Sequence, residues 1–131
     1  MVEETLVESQ IADSIVLVTG LEDQGDKPSV VVWYYFPDAQ EWRLLIGGPT
    51  FDALLPNQES LAYQKIVEAL NKADVQTLNI GEVKVVRTDM PLIRALKLLI
   101  GTRSDAIVRA HFKDNSVDRI FIKEMLVLRS S

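Results

Sequence analysis

The chain has 131 residues, of which 47% are hydrophobic and 25% are charged, and it contains no cysteine. This composition is typical of one globular domain with a substantial core, and the lack of thiols excludes disulfide frameworks, thiolate metal sites and cysteine nucleophiles. No run approaches the roughly 18 apolar residues of a membrane span, and the acidic N-terminal stretch is unlike a secretory signal. We therefore expect a single cytoplasmic domain, residues 1–131, without a membrane segment.

The net charge of −5 conceals an uneven distribution of charge along the chain. Residues 1–80 hold 4 basic and 13 acidic side chains, whereas residues 81–131 hold 10 basic and 6 acidic ones. Such a dipolar chain can bind an anion with its basic part, or meet a second copy or a basic partner with its acidic part. The charge pattern alone does not choose between these partners.

The N-terminal part predicts a helix followed by an ambiguous segment. Leu6, Val7 and Ile11 have helical spacing within residues 3–12, and the glutamates nearby suit the N-terminal end of the helix dipole. Residues 14–20 could extend this helix, but a β-branched run that ends in glycine favours a buried strand. We expect a strand at this position.

Two apolar runs, residues 30–36 and 42–46, predict an antiparallel hairpin closed by the four-residue loop 37–40. One face of this hairpin is aromatic and aliphatic, and we expect it to lie at the centre of the core. The opposite face is also largely apolar, so the hairpin should be covered on both sides. The expected cross-strand pairs are Tyr35 with Trp42, Trp33 with Leu44, and Val31 with Ile46.

The middle of the chain predicts two further helices and a strand. Residues 47–60 are expected to form an irregular crossing that ends at a helix capped by Asn57. Residues 82–88 alternate valine with lysine, which is typical of a strand. Asp89 is expected to cap the next helix, which should stop at a left-handed Gly101. The helix that Asn57 caps should bury Leu61, Ile66, Ala69 and Leu70.

The C-terminal part predicts a hairpin of residues 105–113 and 118–129 that turns at residues 114–116. A three-residue turn gives one apolar face and an outward face on which cations accompany one aromatic ring. A nucleic acid could bind such a face, because cations attract its phosphates and its bases stack on an aromatic ring. A solvated sheet face or a protein contact has the same pattern. We favour a protein contact over nucleic acid. The candidate binding residues are Arg109, His111, Lys113, Arg119, Phe121 and Lys123.

The stretch FPDAQEWR, with Pro37, Asp38, Glu41 and Arg43, superficially resembles the signature of the PD-(D/E)xK nucleases. In that family two carboxylates hold a divalent cation against the scissile phosphate, and a lysine steadies the attacking water or the developing charge. Here the two acids are only three residues apart at a hairpin tip, and an arginine cannot play every role of a lysine. We therefore interpret the motif as a turn, and we predict no metal and no cofactor.

The remaining residues offer little for catalysis. His111 is the only histidine, so a histidine-dependent triad or metal site has a single candidate without an evident partner. The glycines of residues 20–25 and 47–49 do not match a phosphate-binding loop, and no serine lies in a Gly-x-Ser-x-Gly elbow. The sequence therefore favours a protein that is not an enzyme.

Together these patterns predict an α+β domain in which a five- or six-stranded, mainly antiparallel sheet packs against two or three helices. The expected function is that of a non-catalytic protein-interaction module, which binds a protein partner or associates with a second copy as a homodimer. The alternative is a nuclease-like or nucleic-acid-binding protein that uses the basic C-terminal hairpin.

Overall fold

The computed structural model describes Leu6, residues 8–75 and residues 77–131. Within this part of the chain there are four α-helices and one five-stranded sheet. The helices are α1 (Glu8–Asp23), α2 (Pro49–Leu54), α3 (Glu59–Ala73) and α4 (Pro91–Leu99). The strands are β1 (Val30–Phe36), β2 (Glu41–Gly47), β3 (Val83–Val85), β4 (Ala110–Val117) and β5 (Ile120–Ser130).

The sheet has the strand order β3-β2-β1-β5-β4, and every neighbouring pair is antiparallel except β2 and β3. The prediction of an α+β fold with a mainly antiparallel sheet is therefore confirmed. The described part has one helix more than expected, because Pro49 begins α2 immediately after β2 and its fixed φ suits the first turn of a helix. Among the described helices, none combines the length and the apolar character that a membrane crossing requires.

The β1–β2 hairpin has the predicted register. Tyr35 pairs with Trp42, Trp33 with Leu44, and Val31 with Ile46. The Tyr35 and Trp42 rings meet edge to face with 5.5 Å between their centroids. The loop of residues 37–40 closes the hairpin with Gln40 at a φ of 53°, so that the chain reverses without a glycine.

Both faces of the sheet are covered, as the sequence predicts. On one face α1 and α3 pack over Trp33, Leu44 and the rest of the aromatic stripe. On the other face α4 packs its apolar side over Val32, Leu45 and the strands around them. The hairpin of β1 and β2 is therefore the centre of a three-layer arrangement of helices, sheet and helix.

The strand expected at residues 14–20 is wrong, because this segment belongs to α1. The buried side chains of α1 recur at helical spacing through Ser14, Leu17 and Leu21. Gly20 of α1 lies against Ala69 of α3, and a Cβ added at Gly20 would be in ordinary van der Waals contact, 3.5 Å from the Cβ of Ala69. Packing against α3 thus outweighs the strand preference of β-branched residues. The helix predicted for residues 3–12 agrees with α1 from Glu8, and residues 3–5 and 7 lie outside the described part.

The predicted helix ends are wrong in three places. Gln58, and not Asn57, precedes α3, and its side chain makes no capping bond. Met90 precedes α4, because the carboxylate of Asp89 is held by Arg87 instead of the helix amides. The last turn of α4 ends on Ile100 in an extended conformation, so that no left-handed Gly101 is needed.

The buried face of α3 differs in part from the expected one. Ala62, Ile66 and Ala69 are buried, whereas Leu61 is 45% exposed. Ala69 lies against Gly20 of α1, where small residues on both helices allow the two helix backbones to approach each other. Leu61 lies outside the buried face of α3 and remains at the surface.

The C-terminal hairpin turns later than predicted. Its turn residues are Asp118 and Arg119, which have φ values of 48° and 67°, as a two-residue type I′ turn requires. Val117 therefore pairs with Ile120, and β4 continues through residues 114–116. The expected turn at residues 114–116 is wrong, because the strand pairing with β5 extends across it.

Candidate functional site

The nuclease-like acids lie at the tip of the β1–β2 hairpin. Asp38 is exposed in the loop, and Glu41 begins β2. The guanidinium of Arg43 lies 2.7 Å from the carboxylate of Glu41, so that this acid is neutralised by its own strand neighbour. Within the described ranges, no group of three or more histidine, aspartate or glutamate side chains is placed to hold a metal ion. The geometry of this loop is that of a turn.

We expect calorimetric titration with Mg²⁺ or Mn²⁺ to show no saturable binding that depends on Asp38. The reason is that an exposed tip acid beside a paired Glu41 offers too few carboxylate oxygens for a tight site. Asp38→Ala and the control Asp23→Ala, which removes another exposed acid, should therefore give the same titration curve. A saturable heat that disappears only in Asp38→Ala would establish a metal site here.

The register of the C-terminal hairpin separates the candidate residues that the sequence aligned. Phe121 lies opposite Ser116, close to the turn, while Lys113 lies opposite Glu124 and His111 opposite Leu126. The predicted row of cations facing Phe121 across the two strands is therefore wrong. It depended on a three-residue turn, and the two-residue turn shifts every cross-strand neighbour.

Several of the candidate cations already have acidic partners. Arg109 forms an ion pair with Glu8, and His111 lies 2.6 Å from the carboxylate of Glu124. Lys123 lies 3.5 Å from Asp114. The two remaining candidate cations, Lys113 and Arg119, make no ion pair within the part of the chain that the structure describes, and Phe121 is 57% exposed. The surface is thus mixed in charge and not a continuous basic platform.

The feature that the sequence did not reveal is the outer edge of β4. This strand has eight residues and pairs on one side with β5, and no other strand of the described sheet adjoins it. In an antiparallel ladder, alternate residues direct their N–H and C=O groups away from the neighbouring strand. Because the type I′ turn makes Val117 and Ile120 a hydrogen-bonded pair, Ser116 is an outward position, and Asp114, with a φ of 52°, interrupts the alternation between Ser116 and the earlier part of β4.

Among the described residues, no strand pairs with the outer side of β4, so its outward backbone groups are free of ladder hydrogen bonds. An exposed row of free donors and acceptors can accept another extended chain as an additional strand. We call the outward side of residues 110–117 the β4 edge. It is the longest stretch of unpaired strand backbone in the described sheet.

The opposite edge of the sheet is closed. Strand β3 has only three residues. Its outward amide at Val85 donates to the hydroxyl of Tyr63, which projects from α3, at 3.0 Å. A three-residue strand whose amide is already bonded offers no row for another chain, so the two edges differ in their capacity for strand addition.

A cleft of ≈ 500 Å³ lies between the end of α2 and the start of α4. Two cations, Lys84 and Arg87, line this cleft. Arg87 donates to the carbonyls of Asp52 and Leu55 and is paired with Asp89. The hydrogen bond from Arg87 holds the pKa of Asp89 below its ordinary value. Arg87 is thus engaged in holding the loop that precedes α4.

Comparison with models of protein families, with curated proteins and with solved structures gave no match to the chain. The candidate site is therefore defined by geometry alone, as the outer edge of β4 together with the cations at alternate positions of residues 109–113.

Proposed function

We propose that the chain is a non-catalytic protein-interaction module that binds an extended segment of a partner along the β4 edge. The observation that carries this proposal is an eight-residue edge strand whose outer side pairs with no other strand among the described residues. Strand addition of this kind uses main-chain hydrogen bonds for affinity and alternate side chains for specificity. As part of the same proposal we place the protein in the cytoplasm, where a chain without cysteine is common.

The length and the support of β4 favour this use. At about 3.4 Å per residue, eight residues offer an edge of about 27 Å, which matches the strand length that a bound peptide can pair with. The neighbouring strand β5 is held firmly, since Met125, Val127 and Leu128 are almost completely buried. A partner would therefore add to a strand that is already fixed in place, and this protein would lose little conformational entropy on binding.

The nucleic-acid alternative has less support. A single exposed ring at Phe121 provides one stacking surface, where single-strand platforms use several. A gel shift with single-stranded DNA at low salt, compared between the natural chain and Arg119→Ala, would measure this activity directly.

A proline on the β4 edge is expected to weaken peptide binding. Ser116 is exposed and its N–H points outward, so Ser116→Pro removes a donor from the edge and leaves the pairing with β5 intact. The measurement is selection of peptides from a random display library on the natural chain, followed by binding assays on the variant. We expect the selected peptides to lose at least tenfold in affinity for Ser116→Pro, which corresponds to about 1.4 kcal/mol.

The matched control is Ser104→Pro. Ser104 is an exposed serine at the second position of the turn in which the Ala106 amide bonds to the Arg103 carbonyl, a position that accepts proline. This variant should bind the selected peptides as the natural chain does. Both variants must melt cooperatively. Peptides that bind all three proteins equally would show that the β4 edge is not the binding element.

A further inference from the structure

Resting on the proposed function, we infer that the segment accepted by the β4 edge is an acidic, extended chain of another protein and not a second copy of this chain. The basis is the placement of charges along the edge. Arg109, His111 and Lys113 occupy alternate positions, so their side chains lie on the same side of the strand. Asp114, the acid of β4, follows Lys113 directly and precedes Asn115, and it has a φ of 52°.

Self-pairing of β4 is opposed by its own charges. In an antiparallel pair of identical strands related by a twofold axis, one residue faces its own copy, so odd positions always face odd positions. An axis at His111 sets Arg109 against Lys113, and an axis at Lys113 sets two lysines against each other. An axis at Asp114 sets two carboxylates against each other. Like charges directly opposite each other on adjacent strands are destabilising.

A foreign strand can satisfy the same positions. Acidic side chains at alternate positions of an added strand would lie beside Lys113 and its basic neighbours on the same face of the sheet. Lys113 makes no ion pair within the described ranges. The partners of Arg109 and His111 are Glu8 and Glu124, and the side chains of the Arg109 pair are 48% and 70% exposed. Exposed pairs of this kind exchange partners at little cost, because each is worth only a fraction of a kcal/mol.

Three synthetic peptides of the length of β4 test the inference. They alternate threonine with glutamate, with glutamine or with lysine, and therefore share strand propensity but differ in charge. Binding is followed through the backbone amide signals of the ¹⁵N-labelled chain. We expect the glutamate peptide to shift the signals of residues 110–117 more strongly than the glutamine peptide, and the lysine peptide to shift them least.

Lys113→Glu should weaken binding of the glutamate peptide about fivefold, since it replaces an attractive cross-strand pair by a repulsive one. Lys97→Glu makes the same charge change at an exposed position of α4 and should leave binding unchanged. Equal binding of the glutamate and glutamine peptides at β4 would overturn the acidic preference and leave strand addition supported.

Two further results would overturn the inference. One is no shift at β4 with any of the three peptides. The other is a sedimentation mass of two chains that falls to one chain in Ser116→Pro, since a second copy would then occupy the edge. Neither result by itself refutes binding of a partner at this edge, which is tested by the library peptides and their response to Ser116→Pro.

Discussion

Arg129→Ala is expected to lower the free energy of unfolding by about 3–5 kcal/mol, because the arginine is a fully buried cation bonded to two carbonyls and paired with a carboxylate. Arg129 is completely buried in β5. Its guanidinium donates to the carbonyl of Pro28 at 3.0 Å and to that of Ala106 at 2.9 Å, and it lies 3.4 Å from the carboxylate of Glu22. The substitution would leave both carbonyls without this donor and would open a cavity where the side chain lies.

The control for Arg129 is Arg103→Ala. The side chain of Arg103 is 85% exposed and is paired with Asp105, which is itself largely exposed. Its loss should change the free energy of unfolding by no more than about 0.5 kcal/mol. Urea denaturation followed by tryptophan fluorescence, with linear extrapolation to water, measures both variants. An Arg129→Ala variant as stable as Arg103→Ala would show that the buried contacts of Arg129 contribute little.

The contacts of Arg129 also bear on the binding edge. By bonding to Ala106, Arg129 holds the segment that leads into β4, and the amide of Val108 bonds to the carbonyl of Leu128 beside it. Loss of these contacts should loosen the start of β4 before the whole chain unfolds. In Arg129→Met, which keeps most of the side-chain volume, we therefore expect faster amide hydrogen exchange in β4 than in the β1–β2 hairpin.

Trp33→Ala is expected to lower the free energy of unfolding by about 3–5 kcal/mol, since it removes a large side chain from the centre of the core. Trp33 is completely buried in β1. Its indole N–H donates to the hydroxyl of Ser14 at 3.0 Å, and that hydroxyl donates to the carbonyl of Ile11 at 2.6 Å. The tryptophan therefore joins the sheet to α1 both by packing and by a hydrogen bond.

A double-mutant cycle separates the hydrogen bond from the packing. Ser14→Ala leaves the buried indole N–H without its acceptor, which should cost about 1–3 kcal/mol. In a Trp33→Phe background that donor is absent, so Ser14→Ala should cost less by about 0.5–2 kcal/mol. Chemical denaturation of the four proteins gives the coupling. Equal costs of Ser14→Ala in both backgrounds would contradict a contribution of this bond to stability.

The elements that could be predicted from the sequence are those decided by local pattern. The β1–β2 hairpin is recognised because its turn residues and the apolar residues on both sides agree on one register. The β-branched residues of the segment 14–20 favour a strand. In the folded chain this segment is helical and buries Ser14, Leu17 and Leu21 against the core, and such contacts join residues far apart in the chain.

The candidate site depends more than the fold on contacts between residues far apart in the chain, so less of it could be predicted from the sequence. The cations of the C-terminal hairpin are visible in the sequence, but the pairing of Arg109 with Glu8 joins residues 101 positions apart. The turn at Asp118 and Arg119 contains no glycine, so it lacks the usual signal of a type I′ turn. The position of β4 at the edge follows from β5 lying between β1 and β4, and strand order of this kind is a property of the whole fold.

The β4 edge is tested most directly by nuclear Overhauser effects between the ¹⁵N,¹³C-labelled chain and the tightest unlabelled peptide selected from the random library. We predict contacts from the peptide backbone to the backbone of residues 110–117, with Ser116 among them, as expected of an added strand. Peptide contacts confined to the helices, or to the β1–β2 loop, with none along β4, would contradict it.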